Sequence, residues 1–169
     1  MFHQALEELL ETKAFDTISI SDIANQATLT RATFYDHYAD KFALLEELVS
    51  TRFQGLLEKR GVRFDGNCTA AVMGITLAMC DYLAGLPNVD CSTALIAVVR
   101  RMILEGLTRH GTPGAIAPEI VAAAASGAMY GAVTEWMRAP TRCPAEEIVP
   151  SIYSLLRPML EGGYAVAAT

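Results

Sequence analysis

Strand-length alternation of apolar and polar residues is hard to find in these 169 residues, and enzyme signatures are missing. There is no G-x-S-x-G, P-loop, H-E-x-x-H or dinucleotide glycine pattern. "HGTPG" at 110–114 resembles a glycine-rich loop only superficially. Catalysis is therefore not expected. Cys68, Cys80, Cys91 and Cys143 include no C-x-x-C and no tight Cys/His spacing, so reduced thiols are expected, with no metal or other cofactor. The longest uncharged stretches, between Asp65 and Asp81 and between Glu119 and Glu135, hold fifteen residues each. A membrane span needs about 18. "MFHQALEELL" at the start has early acids and no basic segment, so a signal peptide is not expected either. These absences predict a soluble cytoplasmic protein without membrane association.

A surplus of positive charge is also lacking. The net charge is −6, with a balance of −3 in residues 1–63 and of −3 in residues 64–169. Any surface that binds nucleic acid must be a local patch on an acidic body. Apolar residues make up 52% and charged residues 19%, which allows a sizeable core and argues against bulk disorder.

Helical spacing recurs along the whole chain. A first helix is predicted over about 3–13, with Leu6, Leu9 and Leu10 on one face, until "AFDTIS" breaks it. Ser19 and Asp22 form an S-x-x-D capping box that opens a second helix running to about Ala27. Thr30 caps a third over 31–37, and Asp40 a fourth with an apolar stripe from Leu44 to Leu57. Residues 61–66 read as a junction. Four longer helices follow, at about 67–85, 91–109, 117–138 and 145–161, separated by Gly- and Pro-rich connections. The expected fold is all-α: an N-terminal three-helix unit with a helix-turn-helix, then a helical bundle. The domains are expected at 1–45 and 46–169.

"TLTRATFYDHYADK", residues 28–41, crowds three aromatics, a histidine and two cations into a mostly aliphatic chain. Phe34 and Tyr38, four apart, share a face that packs inward; Arg31, Ala32, Thr33 and Asp36 point outward or sideways. Arg31 and Lys41 each open a predicted helix, where the macrodipole disfavours a cation by roughly 0.3–1 kcal/mol. A phosphate at those ends reverses the sign, because dipole, free N–H groups and cation then attract one anion. A solvated helical face explains the spacing nearly as well.

"ISISDIANQATLTRATFYDHYADKFALLEELV" resembles the DNA-binding domain of TetR/AcrR-type transcriptional regulators. The elements that agree in order and spacing are Ala14 and Phe15, Ser19, Ile23 and Ala24, Thr30, the run from Phe34 to Tyr38, and Lys41. The likeness covers about residues 5–50. It implies that Thr30, Arg31 and Thr33 meet the groove, with Arg31 reading a base, since Arg to guanine O6 and N7 is the commonest specific pairing. It implies that Tyr35, His37 and Lys41 hold phosphates, helped by Ser19. The implied partners are a double-stranded DNA operator, a second copy of the chain and a small-molecule effector. The implied role is a repressor released by that effector. Three features depart from the family pattern: Thr28 where Gly is usual, Asp36 beside the phosphate grip, and a helix that starts almost at Met1 without a basic lead-in. A truncated start would account for the last. The alternative is a helical ligand- or protein-binding module with weak or lost DNA binding.

In the second half, Gly127 and Gly131 lie four apart among alanines, which suits close packing within one bundle or a dimer interface with the last helix. Met73, Met79, Tyr82, Met102 and Tyr130, with Phe64 nearby, are candidates for an effector pocket, although methionine and aromatic stripes at helical spacing are far more often plain core. Arg100 and Arg101 read as a solvated face with Glu105, His3 and His110 as surface residues, and Trp136 as a buried interface or core aromatic.

Overall fold

In the computed structural model, residues 1–62, 69–85, 92–110 and 116–161 are described, with the side chain of His110 excepted. Phe64, Cys68, Cys91 and the 111–114 loop lie outside them. Eight α-helices and one 3-10 turn account for the described residues, and no strand occurs among them.

Helix α1 (Phe2–Leu10) buries Phe2, Ala5 and Leu6. It closes before Lys13 because the Leu9 carbonyl accepts the N–H groups of both Thr12 and Lys13, at 3.1 and 2.9 Å. The predicted break is a 3-10 turn (Phe15–Thr17), and it plugs Phe15 and Ile18 into the core. Helix α2 (Ile20–Gln26) starts at Ser19, and α3 (Arg31–His37) at Thr30. In α4 (Lys41–Lys59), Asp40 accepts from the N–H of Ala43 at 2.8 Å, and Leu44, Leu45, Leu48, Val49, Phe53 and Leu57 are buried as their spacing predicts.

Helix α4 runs unbroken through residue 45 and serves both halves of the chain. Arg52 reaches Glu7 of α1 at 2.8 Å, while Glu46 and Ser50 accept from Arg101 of α6 at 3.1 and 3.0 Å. Arg101 thus leaves the solvated pairing expected of it; Glu105 pairs with Arg109 instead, at 3.7 Å. Arg60 clamps Asp81 with two bonds of 2.6 and 2.8 Å.

The bundle consists of α5 (Thr69–Gly85), α6 (Ser92–His110), α7 (Pro118–Arg138) and α8 (Ala145–Leu160). Helix α6 packs on α4 and α7, and α5 touches α4, α7 and α8. One hydrophobic core runs from Phe2 and Phe34 through Phe53 and Met79 to Leu156 and Leu160. Gly74 lets the chain after α4 lie close to α5, for a Cβ there would sit 2.5 Å from Val62 Cγ2.

Gly127 and Gly131 contradict the reading of tight packing inside the bundle. Both are exposed, and a Cβ on either meets nothing within 4 Å. The outward stripe of α7 also carries Ala123, Ala124, Ala128 and Ile120, the last 62% exposed, and α8 exposes Leu155 at 68%. His3, expected at the surface, is half-buried, 3.4 Å from the Tyr38 hydroxyl and 3.8 Å from Glu47. Trp136 is half-buried at the α7–α8 turn, where Nε1 donates to the Cys143 carbonyl.

Candidate nucleic-acid interface

Local sequence builds the interface from two caps and a turn. The Ser19 hydroxyl accepts from the Asp22 N–H at 3.1 Å and donates to Asp22 Oδ2 at 2.7 Å; the Ser19 N–H donates back to Oδ2 at 2.9 Å. This is the reciprocal capping box that the S-x-x-D spacing predicts. The Ser19 hydroxyl and then its N–H hold the Asp22 carboxyl below its ordinary pKa, with a weaker contribution from Lys13. At α3, Thr30 Oγ1 accepts from the Thr33 N–H at 3.1 Å and shares a hydrogen bond with Thr33 Oγ1 at 2.9 Å. Thr33 is half-buried, so its hydroxyl supports the start of α3 while the helix presents other residues outward.

Between α2 and α3 the chain turns at Thr28, with φ of +56°. The Leu29 N–H donates to the Ala24 carbonyl at 2.9 Å and the Thr28 N–H to Asn25 at 3.0 Å, the Schellman pattern of a helix end. The φ-positive position there favours glycine, and a β-branched residue bears strain. Thr28 therefore holds the turn geometry that the resemblance implies, with an unfavourable residue.

Phe34 is fully buried and meets Phe2 edge-on at 5.3 Å, with Tyr38 at 5.6 Å completing the cluster beneath α3. Burial, with Glu47 nearby, pushes the Tyr38 hydroxyl up to about 12. Above this base, Arg31, Tyr35, Asp36 and His37 are exposed. Their side chains make no hydrogen bond or ion pair among the described residues. An exposed tyrosine hydroxyl, an imidazole and a guanidinium within seven residues offer donors for an anionic backbone. Asp36 sets an unpaired acid in the same row as Ala32.

Lys41 is employed differently from the phosphate contact expected of its side chain. Its ammonium donates to the carbonyls of Phe15, Asp16 and Ile18 at 3.0, 3.1 and 2.8 Å, which uses all three donors. It also lies over the Phe15 ring at 4.7 Å. The side chain thereby ties the start of α4 to the turn before α2. No local pattern announces this, because the acceptors lie at least 23 residues away.

The candidate effector residues are dispersed through the bundle. Met79 is fully buried core, and Met73, Met102 and Tyr130 are half-buried against it. Tyr82 is buried and lines a groove of about 400 Å³ between α4 and α5, with Arg52, Leu56, Lys59 and Asp81. None of the other four lines that groove.

Two short helices joined by a tight turn, the second facing outward on an aromatic base, make this a helix-turn-helix protein. Residues 4–48 match the bacterial regulatory proteins of the tetR family. A 44-residue stretch is 46% identical to the uncharacterized HTH-type transcriptional regulator YxbF of Bacillus subtilis (strain 168). That stretch is 26% of this chain and 12% of the Bacillus protein, so the two share a small part of the relative's length. Thermus thermophilus FadR, a TetR family transcriptional repressor solved with lauroyl-CoA, has a similar fold: TM-score 0.58, 20% identity, 99% of this chain and 95% of that one. A TetR transcriptional regulator from Streptococcus agalactiae 2603V gives TM-score 0.58 and 20% identity over 92% and 90%. Residues 4–48 thus resemble the DNA-binding head of the tetR family, and the whole chain shares the fold of solved TetR proteins.

Proposed function

We propose that the chain is a dimeric repressor that sets α3 of each copy into the major groove of an operator and leaves it when a small molecule binds the bundle. The observation that carries this reading is the face of α3, where Arg31, Tyr35 and His37 stand exposed and unpaired on a buried aromatic base. Arg31 reads a base edge; Tyr35 and His37 bind phosphate oxygens. Ser19 and Thr30 act near the backbone through the helix starts they cap. Lys41 contributes the N–H groups at the start of α4 rather than its ammonium, and Thr33 acts mainly by holding Thr30.

The exposed small-residue stripe of α7, with Ile120, and Leu155 of α8 form the face that a second copy covers. Closed two-fold pairing then spaces two recognition helices for two half-sites about one turn of DNA apart. The functional division falls within α4, near the expected boundary between 1–45 and 46–169, since that helix is gripped from both sides. The effector is apolar or amphipathic and enters among Met73, Met79, Tyr82, Met102 and Tyr130. Lauroyl-CoA, the ligand of the Thermus protein, is a reasonable first probe. The effector moves the DNA equilibrium only by its differential affinity for the two arrangements of the dimer.

Selection of bound sequences from random duplex DNA tests this. An inverted repeat, with guanine at the position lost in Arg31→Ala, is expected; enrichment of no sequence contradicts the reading. Asp36 and the committed ammonium of Lys41 favour a second reading, a helical ligand- or protein-binding module whose DNA binding is weak or lost.

A further inference from the structure

A second cavity lies where the head meets the bundle, apart from the candidate effector residues. Its volume is about 190 Å³; Phe15 and Asp16 come from the turn before α2, Phe42, Leu45 and Glu46 from α4, and Thr93, Ala94 and Ala97 from α6. We propose that it binds a small aromatic ammonium ion.

Size sets the first limit. An apolar cavity of roughly 150 Å³ accepts benzene, so one ring with a short substituent fits here. Leu45, Ala94 and Ala97 supply an apolar floor. The Phe15 and Phe42 rings meet edge to face at 5.4 Å, and Phe42 is 59% exposed toward whatever enters. Both rings already take a cation, the Lys41 ammonium standing 4.7 and 5.7 Å from their centres.

Charge sets the second. Glu46 is held by Arg101 through Oε1, and Lys41 spends its three donors on carbonyls. The Asp16 carboxylate is left without a hydrogen bond or ion pair among the described residues. A neutral guest would leave that charge uncompensated. An anion would meet the unpaired Asp16 carboxylate and no cationic side chain in the lining. A primary ammonium donates to Asp16 and has Thr93 and Glu46 within the same lining. The site is independent of operator binding, so its test stands whether or not the chain binds DNA.

Benzylammonium, benzyl alcohol and benzoate are titrated separately into the full chain with labelled alanine methyl groups. Benzylammonium should shift Ala94 and Ala97 saturably, benzyl alcohol should bind about tenfold more weakly or worse, and benzoate should not bind. Asp16→Asn, at an exposed position with no side-chain partner, should weaken benzylammonium by about tenfold while the fold is unchanged. Ala97→Leu should abolish binding by filling the cavity. Equal affinity for benzyl alcohol, saturable shifts confined to other alanines, or no saturation by benzylammonium would each overturn the proposal.

Discussion

Helices α2 and α4 end in the same hydrogen-bonding pattern, with Thr28 at one left-handed position and Gly61 at the other. Strain at such a position costs a non-glycine residue of order 1–3 kcal/mol, and the entropy that glycine loses returns roughly 0.5–1. Thr28→Gly is therefore expected to stabilise the fold by about 1 kcal/mol, raising Tm by roughly 2–4 °C. Differential scanning calorimetry checks this, and a lower Tm would mean that Thr28 makes up its strain elsewhere. Lys41 offers a second test at this scale. Lys41→Met keeps the stem and removes charge-assisted bonds, worth about 1.5–3 kcal/mol when well shielded and less at this half-buried site. Denaturant unfolding should show a loss of about 1–2 kcal/mol. Tyr38 and Cys80 set an alkaline limit. Burial, with Glu47 for the tyrosine and Asp81 for the thiol, raises them to about 12 and about 11. Their share of stability is complete below pH about 9 to 10 and declines as pH rises through 11 and 12, because the folded state holds those protons more tightly.

At the scale of the element, the caps decide where helices begin. Ser19→Ala removes both directions of its hydroxyl bonding and should cost about 1 kcal/mol, measured by chemical denaturation. The lowered Asp22 makes the cap acid-sensitive. Its contribution is present at neutral pH and disappears as pH falls below the ordinary carboxylate range, near ~3.9. These starts were legible: Ser19, Thr30 and Asp40 carry the residue types that satisfy free N–H groups, and each bond spans three residues. The apolar stripe of α4 was legible for the same reason, since its information is periodic and local. What escaped sequence reasoning is long-range. Nothing near Arg101 specifies Glu46 and Ser50, and nothing near Lys41 specifies the three carbonyls before α2. The glycines of α7 were ambiguous because close packing inside a bundle and close packing against a second copy demand the same small residues.

On the whole molecule, the exposed stripe of α7 and α8 is the face proposed to pair with a second copy. Ile120 and Leu155 are exposed, so Ile120→Asp/Leu155→Asp should leave the fold intact while converting a dimer to a monomer in sedimentation velocity. A wild-type monomer at all concentrations would remove the two-fold reading. The acidic body makes the proposed DNA contact local, and the decisive measurement follows from that. Binding to the selected operator is measured across a salt series for the wild type and for Arg31→Ala/Tyr35→Ala. The wild type should bind saturably, log K falling linearly with log salt by about 0.9 for each phosphate neutralised, and the variant should lose more than about tenfold in affinity at every salt concentration. Equal affinity in the two proteins, or no wild-type binding at low salt, would contradict the claim that the face of α3 grips DNA.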